Sequence, residues 1–236
     1  KTIEFSYLIY ILTKIIKNIN MIDFLFPKLH KEGYRFVAIA AIITFIIILI
    51  STFFGFISFI VTIWVYYFFR DPERFSLDDK NYLISPADGV ISNISEVNGP
   101  IELGLENKKF TRVSIFMNVF NCHVNRVPSS GKISKIFYKE GKYLNATFDK
   151  ASDENERNYV HLKSANNDDI VLVQIAGLIA RRIVCEVENN QEVKRGEKFG
   201  IIRFGSRVDL YFENYKILVT KKQKTVGGET LIAKKL

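Results

Sequence analysis

Between Phe36 and Phe69 the chain runs for 34 residues without a charged side chain. About 20 apolar residues carry a helix across a bilayer. The run is therefore too long for one upright span and too short for two full spans with a loop. Two arrangements remain: a helical hairpin broken near Ser51–Ser58, or a single long tilted helix. Gly55 sits mid-run and both flanks are basic (Lys28, Lys31 and Arg35 before, Arg70 and Arg74 after), which favours the hairpin. Basic flanks at both ends place both in the cytoplasm. Trp64, Tyr66 and Tyr67 stand where an interfacial aromatic belt is expected. A soluble buried helix pair is the competing reading, and this length of uncharged sequence is hard to bury otherwise.

The 236-residue chain carries a net charge of +8. That balance suits nucleic acid or an anionic membrane surface. The apolar run selects the membrane, and no fingerprint of a common nucleic-acid module appears, so no nucleic-acid partner is expected. Cys122 and Cys185 are the only cysteines. They are too few for a disulfide framework, suit a reducing compartment, and are expected to be buried small apolar groups. Cys122 adjoins His123, but further ligands at zinc spacing are missing, so no metal is expected. Residues 1–20 read as an amphipathic or apolar helix, either an upstream extension with Met21 as the expected start or an interfacial helix. No small-residue cleavage site follows them.

After Arg74 the composition changes. Phe75–Lys80 reads as a polar linker, and strand signals dominate from Tyr82 onward. Val90–Ile94, Thr111–Phe120, Ile133–Tyr138, Tyr159–Leu162, Ile170–Ile179, Arg182–Val187, Lys198–Ile202, Val208–Phe212 and Tyr215–Thr220 carry apolar, β-branched or alternating patterns between turn residues. The expected fold is β-rich α+β: an N-terminal membrane helix or helical hairpin followed by an antiparallel β-rich catalytic domain. The expected divisions are an extension over 1–20, a membrane anchor over 21–75 and a catalytic domain over 76–236. The lysine-rich tail from Lys221 reads as a solvated end or a contact with anionic lipid heads.

In Arg203–Phe212, Val208, Leu210 and Phe212 alternate with Arg207, Asp209 and Tyr211, the mark of a half-buried strand. Gly205 and Ser206 thus sit at a strand entry. The pair reads either as a plain turn or as a self-cleaving bond in which the Ser206 hydroxyl attacks the Gly205 carbonyl. Asp88, His123 and Ser206 offer the acid, imidazole and hydroxyl that activate a serine. His30 precedes the membrane run, and His161 lies in an alternating strand, where a satisfied or exposed imidazole is expected.

Ser85-Pro86-Ala87-Asp88-Gly89-Val90-Ile91, Asn121-Cys122-His123-Val124-Asn125-Arg126-Val127-Pro128 and the Gly205-Ser206 stretch together resemble the phosphatidylserine decarboxylase family in its short membrane-bound bacterial form. Arg70-Asp71-Pro72-Glu73-Arg74, Asn155-Glu156-Arg157-Asn158 and Gly227-Gly228-Glu229-Thr230 are weaker echoes in the same order. The resemblance implies a proenzyme that cuts itself between Gly205 and Ser206 into a β chain ending at Gly205 and an α chain starting at residue 206. These remain together as a heterodimer, with a higher oligomer left open. It implies a covalent pyruvoyl cofactor made from Ser206, which forms a Schiff base with the serine headgroup of phosphatidylserine and accepts the electrons released with carbon dioxide. Asp88 matches the family's acid, Ser206 its self-cleaving serine, and His123 the first histidine of a segment that carries a second in longer members. Arg126 stands at that second position here. Arg126 and Arg207, with Arg181 and Arg182, are candidates for the substrate phosphodiester.

Two other classes compete. A membrane-anchored serine hydrolase using Asp88, His123 and Ser206 would leave the chain intact, but Ser206 lacks the G-x-S-x-G elbow. A tethered β-rich adaptor would also stay intact. A related decarboxylase acting on another lipid backbone would share all of the headgroup chemistry.

Overall fold

The computed structural model describes residues 26–141, 154–177, 182–203 and 206–236. The expected extension over 1–20, Met21, Arg181 and Gly205 lie outside them. The chain divides into two compact units, 1–73 and 74–236.

The first unit is a helical hairpin, α1 (Tyr34–Ile50) and α2 (Thr52–Phe68), broken at Ser51 in extended geometry. At 1.5 Å per residue each helix is about 26 Å long, close to the ~30 Å of a hydrocarbon core. The few polar residues of the run build the hairpin. Thr44 Oγ1 lies 2.7 Å from Ser58 Oγ and 2.8 Å from Thr62 Oγ1, so these hydroxyls satisfy one another across the seam. A Cβ on Gly55 would fall 2.4 Å from Ile48 Cγ1, so glycine is what lets the helices approach here. The large apolar side chains elsewhere, from Ile42 to Ile63, are mostly exposed, as a lipid-facing surface requires. His30 is buried as the cap of a 3₁₀ turn, its Nδ1 accepting from the Glu32 N–H.

The second unit is antiparallel β. Its strands are β1 (Tyr82–Ile84), β2 (Gly89–Asn98), β3 (Lys109–Met117), β4 (Val124–Arg126), β5 (Gly131–Lys139), β6 (Arg157–Ser164), β7 (Asp169–Ala176), β8 (Arg182–Cys185), β9 (Glu192–Val193), β10 (Lys198–Arg203), β11 (Ser206–Phe212), β12 (Tyr215–Ile217), β13 (Lys224–Thr225) and β14 (Leu231–Lys235). Eight form one sheet in the order β13-β2-β3-β11-β7-β6-β5-β9, and two three-stranded sheets run β1-β14-β12 and β4-β10-β8.

Strand β11 lies mid-sheet between β3 and β7 and is buried along its whole length. Val208, Leu210 and Phe212 join the main core, which includes Ile115, Met117 and Leu172 from the large sheet and Ile183, Phe199 and Ile232 from the small ones. Tyr211 points the other way, into a second apolar cluster with Phe110, Tyr159, Val171, Val173 and Ile175. Fully burying each such aliphatic or aromatic side chain stabilises the fold by roughly 1.5–3 kcal/mol. Cys122 is buried and Cys185 half-buried, and neither is in a disulfide.

Candidate active site

Ser206 is the first residue of β11, paired with Met117 on β3 and Ala176 on β7. It is fully buried, and its Oγ has no hydrogen-bond partner among the described residues. A buried hydroxyl left unsatisfied costs free energy. Alternation puts Ser206 on the main-core face with Val208.

His123 ends the loop between β3 and β4. Its carbonyl accepts from the Ile202 N–H at 3.4 Å, on the strand that leads to Ser206. The ring is buried, and Nδ1 lies 2.9 Å from the Asn121 carbonyl. A carbonyl only accepts, so in the neutral ring Nδ1 carries the proton and the buried Nε2 is the basic nitrogen. A polar chain inside the core pins this segment. Asn158 donates to Gln174 (2.9 Å), Gln174 donates to Asn125 (2.8 Å), and Asn125 donates to Met117 Sδ (3.6 Å). Asn125 sits two residues from His123, and Met117 is the strand partner of Ser206, so the network fastens the histidine segment to the strand beside the serine.

Asp88 lies in the turn before β2. Phe116 on β3 pairs with Val90 on one side and Arg207 on the other, so the Asp88–Gly89 turn and Ser206 reach the same sheet end two strands apart, about 10 Å. The turn also touches the histidine segment, where the Arg126 N–H donates to the Pro86 carbonyl at 2.8 Å. Asp88 accepts from Arg74 Nη2 (2.8 Å) and from the Gly227 N–H (2.7 Å).

Arg126 is buried with Nη1 donating to the Gly196 carbonyl at 2.9 Å. Arg207 projects to the face opposite Ser206 and forks onto Asp209 at 2.6 and 2.7 Å, both side chains buried. Arg182 is exposed on β8 opposite Arg203. His161 is satisfied by Asp169 at 2.7 Å. A cavity of about 980 Å³ is lined by Arg74, the partner of Asp88, by Gly196, the partner of Arg126, and by Lys132, Lys163, Lys194 and Arg195 among others; neither Ser206 nor His123 lines it. The described residues hold no cluster of metal-ligating side chains.

The family model for phosphatidylserine decarboxylase matches residues 61–233. The chain belongs to this family. The Pelagibacter ubique phosphatidylserine decarboxylase proenzyme is 60% identical over 215 residues, 91% of this chain and 100% of that protein. The Rickettsia typhi and Rickettsia prowazekii proenzymes are each 52% identical over 210 residues, 89% of this chain and 91% of theirs. Family membership and the apolar hairpin together make the chain a membrane-associated member of a family of lipid-metabolising decarboxylase proenzymes.

Sequence reasoning did not assign Arg74 or Gly227, although both lie in the weaker family echoes. Those echoes meet at the site: Arg74 and Gly227 close on Asp88, while Asn155 donates to the carbonyl of Ala176, the neighbour of Ser206, at 2.8 Å.

Proposed function

We propose that the protein decarboxylates phosphatidylserine to phosphatidylethanolamine through a pyruvoyl group that it makes from its own Ser206. The observation that carries this reading is the buried Ser206 hydroxyl at the head of β11, without a hydrogen-bond partner among the described residues, within a family match over residues 61–233.

In the self-cleavage, His123 Nε2 takes the Ser206 proton, and Oγ attacks the Gly205 carbonyl carbon. The C–N bond between residues 205 and 206 breaks as the ester forms. Loss of the residue 206 α-proton then breaks the Cβ–Oγ bond and releases the upstream chain as the Gly205 carboxylate. Water replaces nitrogen at the new terminus, ammonia leaves, and a ketone remains. Asp88, held as a carboxylate by Arg74 and the Gly227 N–H, is the acidic member of the Asp88, His123 and Ser206 set.

A pyruvoyl group at residue 206 would supply a carbonyl for the headgroup amine and an electron sink for the pair released with carbon dioxide. His123 is the donor that returns a proton to the substrate carbon. Arg126, three residues along the same segment, is our candidate for the phosphodiester. Arg207 faces away from Ser206 and is engaged with Asp209, which favours a structural role for it. The hairpin keeps the enzyme at the bilayer where its substrate lies. Lys28, Lys31, Arg35 and Arg70 flank the apolar run and support a cytoplasmic position for its ends. The α chain would carry β11 to β14, with β11 laddered to β3 and β7 and β14 to β1, so the two products stay joined as a heterodimer.

Replacing Ser206 with Ala tests the reading: the variant stays one chain and releases no carbon dioxide from carboxyl-labelled phosphatidylserine. Normal processing of that variant would overturn it.

A further inference from the structure

The bond at residue 206 is also where the chain passes from one sheet to another. Strand β10 belongs to the small sheet between β4 and β8, and β11 belongs to the large sheet between β3 and β7. Only residues 204 and 205 join them. The geometry at the self-cleaving serine thus depends on how the two sheets are held against each other at this crossing.

One dipeptide bridges them. The Glu156 carbonyl accepts from the Ala176 N–H at 3.0 Å, and the Asn155 side-chain amide donates to the Ala176 carbonyl at 2.8 Å. Both bonds grip the end of β7 in the large sheet, at the residue paired with Ser206. The Glu156 carboxylate reaches the other way and accepts from the Ile183 N–H at 3.1 Å. Ile183 lies on β8 of the small sheet, paired with Ile202 on β10. Asn155 is fully buried and Glu156 nearly so. A buried backbone N–H must be paired, and bonds of this kind are strong when they accept on a carboxylate.

We infer that Glu156, with Asn155, is a positioning residue for self-cleavage: it ties β7 to β8 across the sheet crossing and so holds Ser206 in register for attack on the preceding carbonyl. This rests on the self-cleavage reading above. Glu156 acts through Ile183 and Ala176 and does not itself move a proton. Its role is that of a hydrogen-bond acceptor, so a neutral acceptor of the same length should replace it.

The experiment compares processing rates of freshly synthesised proenzyme in membranes for the wild-type chain, Glu156→Gln and Glu156→Met. Gln keeps the acceptor for Ile183, whereas Met keeps the volume and loses it. Expected are wild-type-like processing for Glu156→Gln and processing at least ~10-fold slower for Glu156→Met, in proportion to a buried donor left unpaired. Should Glu156→Met fail to fold, Asn155→Asp tests the same bridge by removing the donor to Ala176, and the same slowing is expected. Equal rates for Glu156→Met and wild type, or for Asn155→Asp where that variant is the test, would overturn the inference. So would loss of processing in Glu156→Gln, which would make the charge the active feature. A wild-type chain that never cuts would instead overturn the self-cleavage reading itself.

Discussion

Arg74 donates to Asp88 across 2.8 Å, with each side chain 15% exposed. The two come from segments on either side of the first strand, and the Gly227 N–H, 139 residues from Asp88, closes the other carboxylate oxygen. Without Arg74 the carboxylate would keep one N–H donor and turn toward solvent. Arg74→Ala is therefore expected to slow conversion of the proenzyme by ~10-fold, with partial recovery in Arg74→Lys, which keeps the charge but not the planar fork. A gel time course of the uncut chain checks this.

The Arg207–Asp209 pair lies within one strand, on the face away from Ser206. Asp209→Ala leaves a buried guanidinium without its carboxylate and is expected to cost about 3–5 kcal/mol, whereas replacing both partners with apolar residues of similar size costs far less. Denaturant unfolding of the single and double variants measures the difference. Equal losses in the two would contradict it.

These two pairs mark what was legible in the sequence. The alternation of Val208, Leu210 and Phe212 showed the strand, and the same alternation sets Arg207 on the face opposite Ser206. The length of the uncharged run left a hairpin or one tilted helix, Gly55 and the basic flanks favoured the hairpin, and the interruptions Thr44, Ser58 and Thr62 form its hydroxyl seam. Strands β4, β9 and β13 escaped notice because two or three residues carry no period. Strand β1 is as short as β4 and pairs only with the distant β14, and the five residues of β14 are little longer. The expected strands over Thr111–Phe120 and Ile170–Ile179 stop at Met117 and Ala176, both partners of Ser206. Asp88, His123 and Ser206 came from family resemblance. The closure of Arg74 and Gly227 on Asp88 is a long-range contact that local pattern does not encode.

Asp169 gives a pH dependence. Burial pushes its carboxyl up, but hydrogen bonds from Lys108, Lys163 and His161 outweigh burial and hold it well below its ordinary 3.8. The unfolded chain therefore binds the proton first as pH falls. The stabilisation is complete above about pH 4 and is lost as pH drops through the folded value. The Tm advantage of wild type over Asp169→Asn should be widest near neutral pH and shrink below about pH 4. A gap that stays constant across that range would contradict the assignment.

In the hairpin, a Thr44→Cys/Ser58→Cys pair should oxidise to a disulfide in membranes, because the native hydroxyls are 2.7 Å apart. Adding Gly55→Leu should abolish the cross-link, since even a Cβ there falls 2.4 Å from Ile48. Unchanged cross-linking would show that the helices do not depend on that close approach.

The most direct test of the central claim is the intact mass of the purified full-length protein. The account predicts two species that divide between Gly205 and Ser206, the C-terminal one lighter than its encoded sequence by the conversion of serine to pyruvoyl. A single uncut mass from a folded, active preparation would contradict it.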